Sequence, residues 1–346
     1  MFRKKKSSVV IVSIVFTVLA LICVGCGGGQ EQVDVGKEQK EQAETKGDLE
    51  LRSADVVAVT SPYTIGMNEK FIPLLKERSN GRIKVTHYPA GQLGSDSGIV
   101  EGIKLGTIDF GLVGTVQSKV TEAFYLPFLF KDSEHMHRVI NGEIGEKLKE
   151  KFYEETGIRM IGYVYFAPRM LTANKPIHNL EDLKGLKIRV PQMPPMIATW
   201  KALGASPTPV AFTELFTALQ TGTVDAQENP FEIIYNNSFY EVQKYVMVTN
   251  HSTPVRFFIV NDDLWQSFSK EEQKMIEEIW RQTAQYIEEL YKENEQEYIK
   301  KLKEKGMIFI EPNIEEFREA TKDVWKDFAP EAWGEGVYEE IQKLRD

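Results

Sequence analysis

The sequence predicts an α/β fold of two lobes with a ligand cleft between them, on three observations. Short β-branched and apolar runs alternate with helical periodicities, this alternation comes in two successive series, and a long amphipathic helix follows the second. The length agrees, because the roughly 295 residues beyond the N-terminal segments exceed what a single hydrophobic core readily serves.

The first series opens with Asp55-Val56-Val57-Ala58-Val59 as a strand, followed by a helix over about 65–78 that Asn80-Gly81 ends. A strand at 82–85, a helix over 97–105 and a strand at 108–112 complete a βαβαβ pattern, which implies a parallel sheet. The second series has strands at 159–163 and 187–190, helices around 196–203 and 213–220, and strands at 245–248 and 255–260. Gly222 suits the left-handed position that ends the helix before it. From Ser269 to about residue 305 one helix is readable, with Ser269 and Glu272 spaced as a capping box, a stripe through Ile279, Trp280, Ile287, Tyr291 and Leu302, and Gly306 as its stop. At 1.5 Å per residue it is about 50 Å long, enough to cross both lobes.

At the N-terminus Arg3-Lys4-Lys5-Lys6 precedes an apolar stretch over 9–24, shorter than the roughly 20 residues a spanning helix prefers and flanked as an export signal is. It ends in Cys23-Val24-Gly25-Cys26, which resembles a bacterial lipobox with Cys23 where a leucine is usual. The resemblance implies lipidation of Cys26 and attachment to the membrane through that anchor. Residues 27–52, rich in Gly, Gln, Glu and Lys, read as a flexible tether. The expected organisation is a signal at 1–25, a tether at 26–52, a first lobe from 53–166 with about 255–294, and a second from about 167–254 with 295–346. A net charge of −9, with no basic cluster beyond the signal, gives nucleic acid no footprint.

Six segments carry a family resemblance: Gly81-Arg82-Ile83, residues 89–95 (PAGQLGS), 126–130 (LPFLF), 183–191 (LKGLKIRVP), 203–209 (LGASPTP) and 218–230 (ALQTGTVDAQENP). In this order, along nearly the whole mature chain, they make it similar to the solute receptors of TRAP transporters, the DctP-type family. The resemblance implies a two-lobed, class II-like periplasmic-binding-protein fold. It also implies capture of a small carboxylate outside the cytoplasm and delivery to membrane permease subunits driven by an ion gradient. C4-dicarboxylates are the expected solute, with sugar acids and 2-oxo acids as alternatives.

The residues supply a reason for carboxylate binding. Arg189 ends the strand at 187–190 just before Pro191, where open α/β sheets hold ligands, and its guanidinium is a planar fork matching two carboxylate oxygens. By resemblance Arg189 is the carboxylate clamp, Arg169 a second basic contact, Asn229 a hydrogen-bond partner, Gln192 and Met193 bordering residues, and Phe212 a pocket aromatic. On the opposite wall Tyr63, Asn68, Gln92 and Asp96 are positioned after the first two strands, and of these Gln92 and Asn68 are the candidates retained. Ser95-Asp96-Ser97-Gly98 partly resembles a protease nucleophile segment but reads better as a helix N-cap. His135 and His137 fit a helix over 133–140, and without a compact HExxH or cysteine-rich set no metal or cofactor is expected. An ABC-type binding protein, a ligand sensor and an exported hydrolase are the competing functions.

Overall fold

The computed structural model describes residues 47–345. Signal, lipobox and most of the tether lie outside these. Eleven strands, β1 (Leu49–Ala54), β2 (Ile83–Tyr88), β3 (Phe110–Val113), β4 (Arg159–Tyr165), β5 (Met170–Ala173), β6 (Lys187–Val190), β7 (Ser206–Pro209), β8 (Ala226–Asn229), β9 (Tyr245–Met247), β10 (Val255–Val260) and β11 (Ile308–Ile310), form two sheets among the described residues. The first is ordered β2-β1-β3-β10-β4 and the second β11-β9-β5-β8-β6-β7. Each is the core of one lobe, and the chain passes between them from β4 to β5 and back from β9 to β10.

These crossings explain why neither sheet is wholly parallel. β1, β2 and β3 pair in parallel, as βαβ order requires, but β10 lies antiparallel between β3 and β4 because it enters from the other lobe as β4 leaves. In the second sheet β5 is likewise antiparallel to β8 and β9, while β6 runs parallel to β7 and β8. The expectation of a parallel first sheet therefore holds for three of its strands.

The first strand begins at Leu49, inside the expected tether, and stops where the strand at 55–59 was expected to begin. Leu49–Ala54 pair residue for residue with Ile83–Tyr88. Asp55 then ends the ladder by accepting the Val57 N–H on its own carboxylate at 3.0 Å, so the apolar run 56–59 becomes a loop. The following helix is longer than its periodicity indicated: Pro62–Gly66 continues through a wide π-type turn, Met67–Phe71, into Ile72–Arg78. Pro73 lacks the N–H that a regular turn would use there.

The long helix is continuous over Lys270–Glu304, with both halves of the Ser269–Glu272 capping box formed. Its first half lies on β4 and the helical segment after β1, and it then reaches the second-lobe helix Phe231–Asn236. Trp280 seats it: the indole stacks on Phe258 at 4.0 Å and donates from Nε1 to the Tyr163 carbonyl at 3.2 Å. Gly162 makes this possible, since a Cβ there would stand 2.6 Å from Trp280 Cδ1.

The last residues depart from the expected division. β11 adds to the second sheet, yet Trp333 donates to the Val120 carbonyl at 2.9 Å, His135 bonds the Ile341 carbonyl at 2.7 Å, and Gln342 donates to Leu129. Residues 329–345 thus pack on the first lobe, because Trp333 finds both an aromatic neighbour, Phe124, and a carbonyl there. No helix among the described residues is long and apolar enough to cross a membrane.

Replacing Gly162 with Ala should displace Trp280 and lower unfolding stability by about 1–3 kcal/mol, as overpacking does. Urea titration should show a lower midpoint at an unchanged slope; an unchanged midpoint would mean that the helix seat is not close-packed.

Candidate functional site

Between the lobes the two crossings pair with each other. The Phe166 N–H donates to the Pro254 carbonyl (3.2 Å) and the Arg169 N–H to the Ser252 carbonyl (2.9 Å), so the floor of the cleft is a short two-stranded link. Above it lie two small adjoining cavities of about 40 and 50 Å³, both touched by Asp96, Thr115, Arg189, Pro191 and Phe212. Three arginines line the first of them, Arg169, Arg189 and Arg256, and each is at least nine-tenths buried. A buried guanidinium needs hydrogen bonds and opposite charge.

Arg169, at the head of β5, is already satisfied. Its Nε and Nη2 grip both carboxylate oxygens of Glu228, the Nη2–Oε1 separation being 2.7 Å, and Nη2 also donates to the Glu228 carbonyl at 2.7 Å. His251 adds a contact from Nε2 to Glu228 Oε2 at 3.2 Å and is itself held by Thr249 at 2.8 Å. Burial alone would raise the Glu228 pKa, but the Arg169 guanidinium and His251 outweigh it and hold the carboxyl below its usual range.

Arg256 is the second residue of β10, just after the chain returns to the first lobe. It faces Asp96 (Nη2–Oδ1 3.5 Å), donates to the Leu112 carbonyl at 3.3 Å, and lies against the rings of Tyr63 and Phe166 at 5.1 and 5.6 Å. Its Nε is buried without a hydrogen-bond partner among the described residues. Gly114 leaves room for this arrangement: a Cβ there would meet the Tyr125 hydroxyl at 3.0 Å and Arg256 Cζ at 3.6 Å.

Arg189 differs from both. Pro191 ends β6 by withholding an N–H, and the side chain crosses toward β7, where Nε donates to the Val210 carbonyl at 2.9 Å. Phe212 flanks it at 6.0 Å. No carboxylate among the described residues is within ion-pair distance of it. Burial therefore lowers its pKa to about 10, with the charges of Glu228 and Asp96 opposing the shift only partly. The two terminal nitrogens of the guanidinium make no hydrogen bond to another of the described residues.

Residues 53–331 match the family of bacterial extracellular solute-binding proteins, family 7 (DctP). The chain belongs to this family. The family 7 chain is 34% identical over 259 residues to the sialic acid-binding periplasmic protein of Vibrio cholerae, which covers 73% of the chain and 80% of that protein. It is 31% identical over 282 residues to a C4-dicarboxylate-binding periplasmic protein of Rhodobacter capsulatus, covering 79% and 83%. A TRAP periplasmic solute-binding protein from a Polaromonas species, solved with D-erythronate, superposes with a TM-score of 0.81 at 30% identity, covering 86% of this chain and all of that one. Members of this family are extracytoplasmic receptors for small organic acids that work with a membrane permease.

Of the residues expected at the site, Arg169, Arg189, Asn229 and Phe212 line the first cavity and Gln192 the second. Asn229 commits its Nδ2 to Gln227 at 2.6 Å. Met193 is 1% exposed, packed in the core before the helix Pro194–Ala202, because Gln192 and Met193 point to opposite sides of the chain. Asn68 and Gln92 are exposed and line neither cavity; the wide turn carries Asn68 outward, and a tight turn at Ala90-Gly91 carries Gln92 away. Asp96 is a wall residue after all. Arg256 was missed, although a lone charge inside the apolar run 255–260 is itself a signal. A wider hollow of about 690 Å³ on the first lobe beside the long helix is lined by exposed Glu146, Glu277 and Arg281 and by the buried Glu288, which His137 and Lys292 pair, whereas Arg189, buried without an acidic partner among the described residues, lines the two small cavities.

Deep to the cleft, Glu232 joins the lobes. It accepts from Asn236 Nδ2 at 2.6 Å and from the Tyr291 hydroxyl of the long helix at 3.2 Å, with Ser61, Tyr63 and Arg256 of the first lobe around it. Burial raises its pKa from 4.5 to about 7, against the opposing hydrogen bonds and Arg256. The unfolded chain ionises this group near pH 4.5 and the folded chain only near 7, so its effect is absent below 4.5, destabilises increasingly as pH rises to 7, and then levels off. The effect is on the order of 3 kcal/mol at most. Urea unfolding between pH 5 and 7.5 should show Glu232→Gln losing less stability than the parent as pH rises; parallel profiles would exclude Glu232 as the titrating group.

Proposed function

We propose that this protein is the receptor of a TRAP transporter and captures a small organic acid by its carboxylate on Arg189, for delivery to an ion-gradient-driven permease. The observation that carries the reading is the buried Arg189 guanidinium, which has no acidic partner among the described residues while both neighbouring arginines have one. A solute carboxylate supplies the missing charge and two acceptors in the plane of the fork. Arg169 acts on the solute from a position fixed by Glu228, and Asn229 and Phe212 border it. The common feature of the acids named for the relatives is the carboxylate, which supports a broader class than the C4-dicarboxylates. We also propose that Cys26, outside the described residues, carries the lipid that holds the receptor at the membrane surface.

Charge-assisted hydrogen bonds are worth roughly 1.5–3 kcal/mol each, so a two-pronged contact contributes about a hundredfold or more in affinity. Calorimetry should find that Arg189→Ala abolishes most acid binding and that Arg189→Lys, a point donor in place of a fork, loses much of it. Near-parental affinity in Arg189→Ala would remove the site assignment. Arg169→Ala is a poor probe of binding, because it leaves Glu228 charged and buried without its partner, and it should destabilise the fold by about 3–5 kcal/mol.

Stable membrane attachment takes more than one acyl chain, which lipidated Cys26 would provide. Fractionation of cells carrying Cys26→Ser should show processed protein released from the membrane. Full retention of that processed variant would overturn the anchor.

A further inference from the structure

We propose that the cavity where the C-terminal residues join the two lobes is a second anion site, separate from the cleft, which binds a phosphate group with cations from both lobes and so fastens the lobes together. Neither Arg189 nor the solute of the cleft takes part in it.

The helix Ile314–Thr321 belongs to the second lobe. The Asn313 N–H donates to the His178 carbonyl at 2.9 Å and the Leu180 N–H to the Glu316 carboxylate at 3.2 Å, and this helix and the turn Val324–Asp327 both lie on the helix Pro194–Ala202. Residues 329–345 pack on the first lobe, and Trp325 stacks on Tyr338 at 4.2 Å where the two parts meet. Beside that stack is a cavity of about 240 Å³, to which the second lobe gives Arg318 and Lys322 and the first gives Phe128 and Arg345. No Asp or Glu lines it, in a chain of net charge −9. Arg318 and Lys322 do contact Glu315 and Glu319 about one turn earlier, but these are exposed pairs that contribute little in water and that a bound anion can replace. Arg345 donates from Nη2 to the Phe128 carbonyl at 2.6 Å and to the Leu129 carbonyl at 3.4 Å, and its Nε is a buried donor without a partner among the described residues. An orphaned N–H of this kind costs free energy unless something accepts from it.

Three cations call for more charge than one carboxylate carries. A phosphate group brings about two negative charges and three acceptor oxygens, enough to engage Arg318, Lys322 and Arg345 at once. Such an ion would also act on the hinge. Arg318 reaches from the second lobe over the Phe128 ring at 4.2 Å, and the Phe128 N–H donates to the His251 carbonyl at 2.9 Å, on the segment that returns from the second lobe to the first. Phe128 has a φ of +51°, a left-handed conformation that a bulky residue adopts only where its surroundings fix it, and its bonds to His251 and Arg345 do so. Moving the lobes apart separates Arg318 and Lys322 from Arg345. An anion held by all three therefore favours the arrangement in which the lobes are joined, by as much as it binds that arrangement better.

The test uses the processed Cys26→Ser protein, so that no lipid contributes, and needs no cognate acid. Calorimetry with inorganic phosphate and with glycerol 3-phosphate, at an ionic strength held constant with chloride, should show binding that persists in Arg189→Ala. It should weaken about tenfold or more in the double variant Arg318→Gln, Lys322→Gln, the scale of one or two charge-assisted hydrogen bonds. Both positions are exposed, and circular dichroism establishes that the double variant folds. Small-angle scattering should show phosphate compacting the parent protein and not the double variant. Co-sedimentation with vesicles of phosphatidylglycerol or of phosphatidylcholine separates the two sources of the group. Retention on phosphatidylglycerol alone, lost in the double variant, assigns a lipid headgroup, and calorimetric binding without such retention assigns a soluble phosphate. Absence of binding by every probe, or equal binding by the parent and the folded double variant, overturns the site. Phosphate binding lost in Arg189→Ala places the ion in the cleft and overturns the site too, while leaving the Arg189 anchor standing. Binding without compaction overturns the fastening of the lobes.

Discussion

A guanidinium taken out of water must recover what water gave it, and much of the cleft is organised by that requirement applied three times. Arg169 recovers it from Glu228, which also contacts His251, itself held by Thr249. Arg256 recovers part of it from Asp96, the Leu112 carbonyl and two aromatic faces. Arg189 has one backbone carbonyl and a neighbouring ring, and its lowered pKa expresses the remainder. Specific solute binding results when that remainder is something a small anion can provide.

The positions of these arginines follow from topology rather than from local propensity. Arg169 stands where the chain enters the second lobe, Arg189 where a strand runs out at a proline, and Arg256 on the strand that returns to the first lobe. The strands that cross between the sheets are antiparallel to their neighbours for the same reason that they reach the cleft. Glu232 and Tyr291 extend this link beneath the site, tying the second-lobe helix Phe231–Asn236 to the long helix.

Much of this was legible in the sequence. The strands at 187–190 and 255–260 and the helix Lys270–Glu304 came through with sound boundaries, because a proline, a dense apolar run and a capping box mark them locally. The elements that did not come through depend on partners remote in sequence. β1 is a strand because β2 lies beside it, and the run 56–59 is a loop because Asp55 turns the backbone. Of the cavity lining, the second-lobe arginines were readable, from a strand end and from a family resemblance. The first-lobe wall was not, since Asn68 and Gln92 differ from Asp96 only in where turns aim them.

The glycine at position 114 sets how far the first-lobe wall of the cleft can change in one step. Its missing side chain is the space in which the Arg256 head group and the Tyr125 hydroxyl come near each other. A single codon change there would redraw the first-lobe wall while leaving Arg169 and Arg189, on the second lobe, in place. A cleft whose two walls come from separate lobes can be reshaped on one side in a single step while the other side keeps its side chains.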